Sequence, residues 1–177
     1  MRWNRQFALL PNCARFQLCT IRHQVTLRLN YELCNKTADL CKVEMIKFVG
    51  GVAIKPKHRL SCHCGTVVLE LDLPDGIVTP RRCDCSICRR KGGIVASVLL
   101  SGIKIIQGEA ALTLYQFNTN VAKHYFCSVC GIYTHHQRRS FPDQYGYNVG
   151  CLEGINPFDL ELVPLFDGVN HPSDRAT

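Results

Sequence analysis

Arg81-Arg82-Cys83-Asp84-Cys85-Ser86-Ile87-Cys88-Arg89-Arg90-Lys91 places three cysteines in one short loop, and two further pairs lie outward from it, Cys62-His63-Cys64-Gly65 before and Cys127-Ser128-Val129-Cys130-Gly131 after. These clusters take seven of the twelve cysteines. Thiolate-bound zinc is tetrahedral: it closes at four protein ligands when structural and stops at three when a substrate position stays open. Seven divides into four and three.

Spacing favours one division. A cysteine pair with glycine behind it can turn sharply enough to aim both sulfurs at one ion. Cys62 and Cys64 precede Gly65, and Cys127 and Cys130 precede Gly131; two such half-sites from distant parts of the chain make a closed four-cysteine centre. Cys83, Cys85 and Cys88 are then left on one loop with no obvious fourth ligand nearby in sequence. A disulfide framework is the competing account, and it needs an oxidising compartment. The chain has no unbroken apolar core followed by a small-residue cleavage site at its start, and C-x-C spacing suits a shared metal better than a low-strain bridge. Two zinc ions per chain are therefore expected. Reduced cysteines without an export signal point to the cytoplasm.

The formal net charge of +7 suggests a polyanionic partner until it is located. Residues 1–60 hold eleven Lys or Arg against the acids Glu32, Asp39 and Glu44, whereas residues 61–177 hold ten against eleven acids. The region bearing the clusters is close to neutral, so nucleic acid is not the expected partner of that region. No apolar run reaches the roughly 18 residues of a membrane span, and a soluble chain is expected.

Residues 1–45 mix Cys13, Cys19, Cys34 and Cys41 with arginines and show no sustained strand or helix period. An organelle presequence has the same arginine bias but is rich in serine, which this stretch is not. The favoured reading makes Met45 the start and the preceding stretch an upstream extension of the reading frame. The expected organisation is a disordered basic extension over residues 1–57, a β domain over 58–170 and a C-terminal tail over 171–177.

From about residue 60 the texture changes to short apolar or alternating runs at 66–71, 94–100, 103–106, 112–117, 121–126, 145–152 and 160–166, separated by Gly, Pro, Asp or Asn. The fold class is all-β. Residues 86–91 suggest a single helical turn, and Pro74-Asp75-Gly76, Ser101-Gly102 and Asn156-Pro157 suggest turns. A closed zinc centre at Cys62, Cys64, Cys127 and Cys130 would tie the first strand to the middle of the sheet, and small β domains often need such a clamp.

An open zinc on the middle loop can polarise a carbonyl or hold a deprotonated water or thiol, and soft thiolate ligation suits a thiol substrate. Arg81, Arg82, Arg89, Arg90 and Lys91 flank this loop. Such charges favour thiolate over thiol and can grip carboxylates, although a solvated basic face is the simpler account of any one of them. Asp84 and Ser86 are candidates for hydrogen bonding around the ligands. His63, His124, His135 and His136 are weaker candidates, and of the adjacent pair on a strand at most one can face a site. Cys151 reads as a buried small hydrophobe.

The segments SCHCGTVVLEL, CDCSICRRKGG, QGEAALTLYQFNTNVAKHYFCSVCGIYTH and YGYNVGCLEG, in this order over about residues 60–168, resemble the glutathione-dependent formaldehyde-activating enzyme family, which includes the centromere protein V group. The resemblance implies a small zinc-binding domain of antiparallel sheets. It implies a structural zinc on Cys62, Cys64, Cys127 and Cys130, and a catalytic zinc on Cys83, Cys85 and Cys88. It further implies a carbon-sulfur lyase that adds glutathione reversibly to formaldehyde, giving S-(hydroxymethyl)glutathione. The partners would then be a small-molecule thiol and an aldehyde. The competing class is a non-enzymatic zinc module that binds a protein or chromatin partner.

Overall fold

The computed structural model describes residues 45–171. The expectations for residues 1–44 and 172–177 fall outside these. Three short strands open the described chain: β1 (Met45–Ile46), β2 (Phe48–Val49) and β3 (Val52–Ala53). β2 and β3 form a hairpin, and β1 pairs with β6 (Ile77–Val78). Strands are therefore already formed within residues 45–57, part of the span expected as an extension. The physical reason is burial: Val49 and Ile54 are part of the hydrophobic core.

Two antiparallel sheets carry the domain. The smaller joins β4 (Lys57–Ser61), β5 (Val68–Asp72) and β9 (Ile103–Gln107) in the order β4-β5-β9. Alternation in β4 and β5 sends His58, Leu60, Leu69 and Leu71 inward while Lys57, Arg59 and Asp72 stay exposed. His58 pairs with Leu71, Leu60 with Leu69, and Leu69 with Ile105, so one apolar face forms across the three strands. Leu60, Leu69 and Leu71 are fully buried, and each contributes roughly 1.5–3 kcal/mol of transfer free energy.

The larger sheet takes the order β10-β11-β12-β13-β8. Its strands are β8 (Val95–Leu99), β10 (Leu112–Tyr115), β11 (Lys123–Cys127), β12 (Tyr133–Gln137) and β13 (Gln144–Asn148). Two further pieces hold the cysteine loop: β7 (Arg82–Cys83) lies parallel to β14 (Leu165–Phe166), and the helical turn α1 (Cys88–Lys91) follows. Gly92 ends α1 in the left-handed region at φ 65°, a conformation natural to glycine. Among the described residues no helix is long and apolar enough to cross a membrane.

The domain is thus mostly antiparallel β with little helix, as the sequence indicates. Two strands of the main sheets escape a reading by composition. β4 (Lys-His-Arg-Leu-Ser) looks too charged, and β12 (Tyr-Thr-His-His-Gln) too polar. β12 nonetheless sits inside the sheet between β11 and β13, with Thr134 and His135 buried. The expected run 145–152 ends as a strand at Asn148, whose side-chain oxygen accepts from Gly150 N at 3.1 Å to start a 3₁₀ turn, Val149–Cys151. In 160–166 only Leu165–Phe166 pairs as a strand, because Pro164 supplies no N–H to a ladder.

Candidate functional site

The first cluster forms where the two sheets meet. Cys62 follows β4 directly and Cys127 ends β11. Each opens a tight turn: Gly65 N donates to Cys62 O at 3.0 Å, and Gly131 N donates to Cys127 O at 2.8 Å. Gly65 and Gly131 take φ of 73° and 71° with open space around them, so their role is conformational rather than steric. The turns bring Cys64 and Cys130 back toward Cys62 and Cys127, and the four Sγ atoms lie within 4.8 Å of one another.

The donor set fits zinc. A tetrahedral ion with Zn–S of about 2.3 Å sets its sulfurs about 3.8 Å apart. Cys62 and Cys64 are 3.6 Å apart at sulfur, and Cys64 and Cys127 are 3.8 Å apart. Neighbouring groups already prepare the sulfurs: Val67 N donates to Cys62 Sγ at 3.2 Å, and Cys64 Sγ and Thr66 Oγ1 hydrogen-bond at 3.1 Å. Burial pushes the Cys62 thiol up to about 11, whereas the Thr66 hydroxyl and backbone bring Cys64 down to about 6.

Cys83, Cys85 and Cys88 form the second group, also within 4.8 Å at their sulfurs and all half-buried. Among the described residues no fourth His, Cys, Asp or Glu joins them. Hydrogen bonds from Cys83 and Cys88 hold Cys85 far below the ordinary thiol range, and the same contacts leave Cys88 raised. Backbone geometry holds the three together: Arg89 N donates to Cys85 O at 3.1 Å, and Gly92 N donates to Cys88 O at 2.9 Å.

The C-terminal segment packs on this loop. Asp84 Oδ1 accepts from Gly168 N at 2.7 Å and from Val169 N at 3.3 Å. Asp84 thus anchors a strap across the loop rather than pointing to the sulfurs, a role with no signal in the local sequence. Gly168 sits so close that an added Cβ would fall 2.7 Å from Cys85 Cβ and would also collide with Cys83 Sγ. Ser86 contributes its carbonyl, which accepts from Arg90 Nη1 at 2.6 Å.

The cations around the loop separate by burial. Arg82, Arg89 and Arg90 are exposed, and a solvated face accounts for them. Arg81 is buried, with Nη1 donating to Thr79 O at 3.1 Å and Ser97 Oγ at 2.9 Å. Lys91 is half-buried, and its Nζ lies 3.0 Å from His124 Nδ1 and 3.6 Å from the centroid of the Tyr133 ring. A small pocket is lined by Cys88, Lys91, Gly93, Val95 and Tyr133.

The histidines distribute as strand geometry requires. His124 pairs across the strands with His136, and their rings stack at 5.1 Å. Tyr125 pairs with His135 on the other face, and those rings stack at 4.6 Å. Only His136 of the adjacent pair shares the His124 face. His63 is exposed within its turn, and Cys151 is buried in the core outside both clusters.

Burial alone pushes His135 down to about 4 from an ordinary 6.5. Its folded form therefore prefers the neutral ring, while the unfolded chain takes up a proton below about 6.5. The stability due to this difference is complete above pH 6.5 and is lost as pH falls toward 4. At pH 5 the loss is on the order of 1–2 kcal/mol. His135→Gln is accordingly expected to show a smaller fall in melting temperature between pH 7 and pH 5 than the parent protein; an equal fall would remove His135 as the cause.

Comparison with known proteins agrees with this geometry. The sequence profile described as glutathione-dependent formaldehyde-activating enzyme matches residues 57–163. A structural-genomics crystal structure of a Rhodobacter sphaeroides protein is similar at 56% sequence identity and a TM-score of 0.59, over 60% of this chain and 98% of that one. The matched span contains both cysteine groups and every strand from β4 to β13, and the chain belongs to the glutathione-dependent formaldehyde-activating enzyme family.

Proposed function

We propose that the protein is a zinc-dependent carbon-sulfur lyase-type enzyme acting on thiol-aldehyde adducts such as S-(hydroxymethyl)glutathione. The observation that carries this reading is the asymmetry of the two cysteine groups. Four sulfurs gather within 4.8 Å of one another at Cys62, Cys64, Cys127 and Cys130, while Cys83, Cys85 and Cys88 gather as three beside a pocket. The first group would hold a structural zinc and the second a catalytic zinc with one position for substrate. When bound there, zinc supplies Lewis-acid stabilisation of sulfur and oxygen anions.

The chain's own residues supply the rest. Half-buried Cys83, Cys85 and Cys88 bring their sulfurs together, the strap at Gly168 packs against them, and a small pocket adjoins Cys88. All eight cysteines of the described residues are free, in keeping with a reducing compartment such as the cytoplasm.

The test is equilibration of glutathione with formaldehyde, followed by NMR exchange, for the zinc-loaded protein against Cys85→Ser. The parent is expected to accelerate exchange, and Cys85→Ser is expected to lose about 10²-fold or more while keeping its fold and one zinc. An inactive parent with zinc on both groups would overturn the lyase reading in favour of a zinc module that binds a partner.

A further inference from the structure

Lys91 is the half-buried cation at the end of α1. No carboxylate pairs with it among the described residues. Its Nζ is held instead by two uncharged groups, His124 Nδ1 at 3.0 Å and the Tyr133 ring at 3.6 Å. Burial, and then the Lys91 charge itself, push His124 down to about 4, so the imidazole is neutral near pH 7 and its Nδ1 accepts from the ammonium. Tyr133 cannot swing away, because its hydroxyl is hydrogen-bonded to His136 Nδ1 and lies 3.3 Å from Gly146 O. His136 in turn stacks on His124. The ammonium is therefore held by a connected set of rings.

An ammonium carries three N–H donors. His124 takes one, the Tyr133 face takes none in a directed bond, and donors remain. They belong to a group that lines the same small pocket as Cys88. Among the described residues no carboxylate pairs with Lys91, and the sulfur of Cys88 lines the pocket beside it. Keeping a cation half out of water without a partner is costly unless an anion arrives. Arg81, by contrast, has its Nη1 engaged by Thr79 O and Ser97 Oγ, and Arg82, Arg89 and Arg90 face solvent.

We propose that Lys91 is a further catalytic residue of the thiol-aldehyde reaction: its ammonium receives the oxyanion that forms on the aldehyde oxygen, with His124 and Tyr133 positioning it. The inference rests on the lyase reading above. In the direction of adduct formation the thiol proton leaves to solvent. The sulfur then bonds to the carbonyl carbon, and the C=O π pair moves to oxygen. Lys91 hydrogen-bonds that oxygen and delivers one proton to it, regaining its own from water. The hydroxymethyl thioether results with atoms balanced, and cleavage is the reverse.

The test uses the full zinc-loaded chain and Lys91→Met, with zinc content and melting temperature read on each. Two inert probes separate charge from shape: S-(carboxymethyl)glutathione places an anion beside the thioether carbon, and S-(carbamoylmethyl)glutathione is its neutral isostere. The parent is expected to bind the anionic probe about tenfold more tightly or better, and Lys91→Met to bind both alike. In the exchange reaction kcat is expected to fall about 10²–10³-fold in Lys91→Met, as for loss of an oxyanion donor, with KM for glutathione changed less than about threefold. Lys91→Arg is expected to recover part of the probe preference. If Lys91→Met loses zinc, Lys91→Gln is read in its place. A variant with parental kcat, or with the parental preference for the anionic probe, overturns the Lys91 assignment and leaves the lyase reading standing. A parent with no exchange activity overturns the lyase reading and this inference together.

Discussion

Cys127→Ser is expected to unfold the domain at ambient temperature, and exhaustive chelation of the parent to give the same result. Cys127 is fully buried at the end of β11, and the group it completes joins that strand to the end of β4 in the other sheet. Otherwise packing holds the two sheets together, helped by an isolated bridge from Leu60 in β4 to Leu152, just beyond β13. A structural zinc contributes about 10–16 kcal/mol in small metal-dependent domains, against a total stability of about 5–15 kcal/mol for a typical domain. Losing one thiolate in four forfeits a large share of that and leaves a hydroxyl buried beside three sulfurs. Amide NMR dispersion and thermal denaturation check the outcome. A Cys127→Ser protein that kept its dispersion and melted within about 5 °C of the parent would show that the sheets hold without the metal.

On the proposed two-zinc lyase reading, Gly168→Ala is expected to lower zinc from two ions per chain to one, with the loss confined to the three-cysteine group and exchange activity falling about 10²-fold or more. The added methyl would sit 2.7 Å from Cys85 Cβ and 3.0 Å from Cys85 N, and would also collide with Cys83 Sγ. A flexible side-chain end could swing clear, but Cys85 N is backbone, and Cys83 Sγ cannot rotate without leaving its two neighbours. Retreat of the strap is opposed by the hydrogen bonds of Asp84 to Gly168 and Val169 and by the β7–β14 pairing. Overpacking of this kind costs about 1–3 kcal/mol, so the fold survives while the loop opens. Zinc content with melting temperature decides it: two retained ions would mean that the strap yields and does not constrain the ligands.

These two variants test parts of the molecule that differ in how far they could be read in advance. Cys127 is legible because its turn is local. A C-x2-C-G sequence places both sulfurs on one side of a single turn, and the short chain between them limits where they can go. The same holds for Cys83, Cys85 and Cys88. Strand texture is legible wherever one face is wet, as at β8, β9 and β11. It fails at β12, where His135 and His136 are sheltered on both faces by aromatic rings, because polar side chains carry no alternation signal when their neighbours bury them.

Gly168 and Lys91 belong to the other kind. Gly168 looks like an ordinary glycine near a chain end, and its meaning lies in Asp84 and Cys83, which reach it only through the parallel pairing of β7 with β14. Lys91 reads as one of five surface-like cations, and it becomes distinct only when β11 and β12 bring His124 and Tyr133 to it. By itself the sequence determined the all-β class, the four-and-three grouping of sulfurs and the family, since each depends on residues close in the chain or on short patterns in order. The tertiary structure alone decided which of the five cations are withdrawn from water and which glycine guards the loop, because long-range register sets those contacts, and register follows from the packing of the whole core rather than from any one stretch.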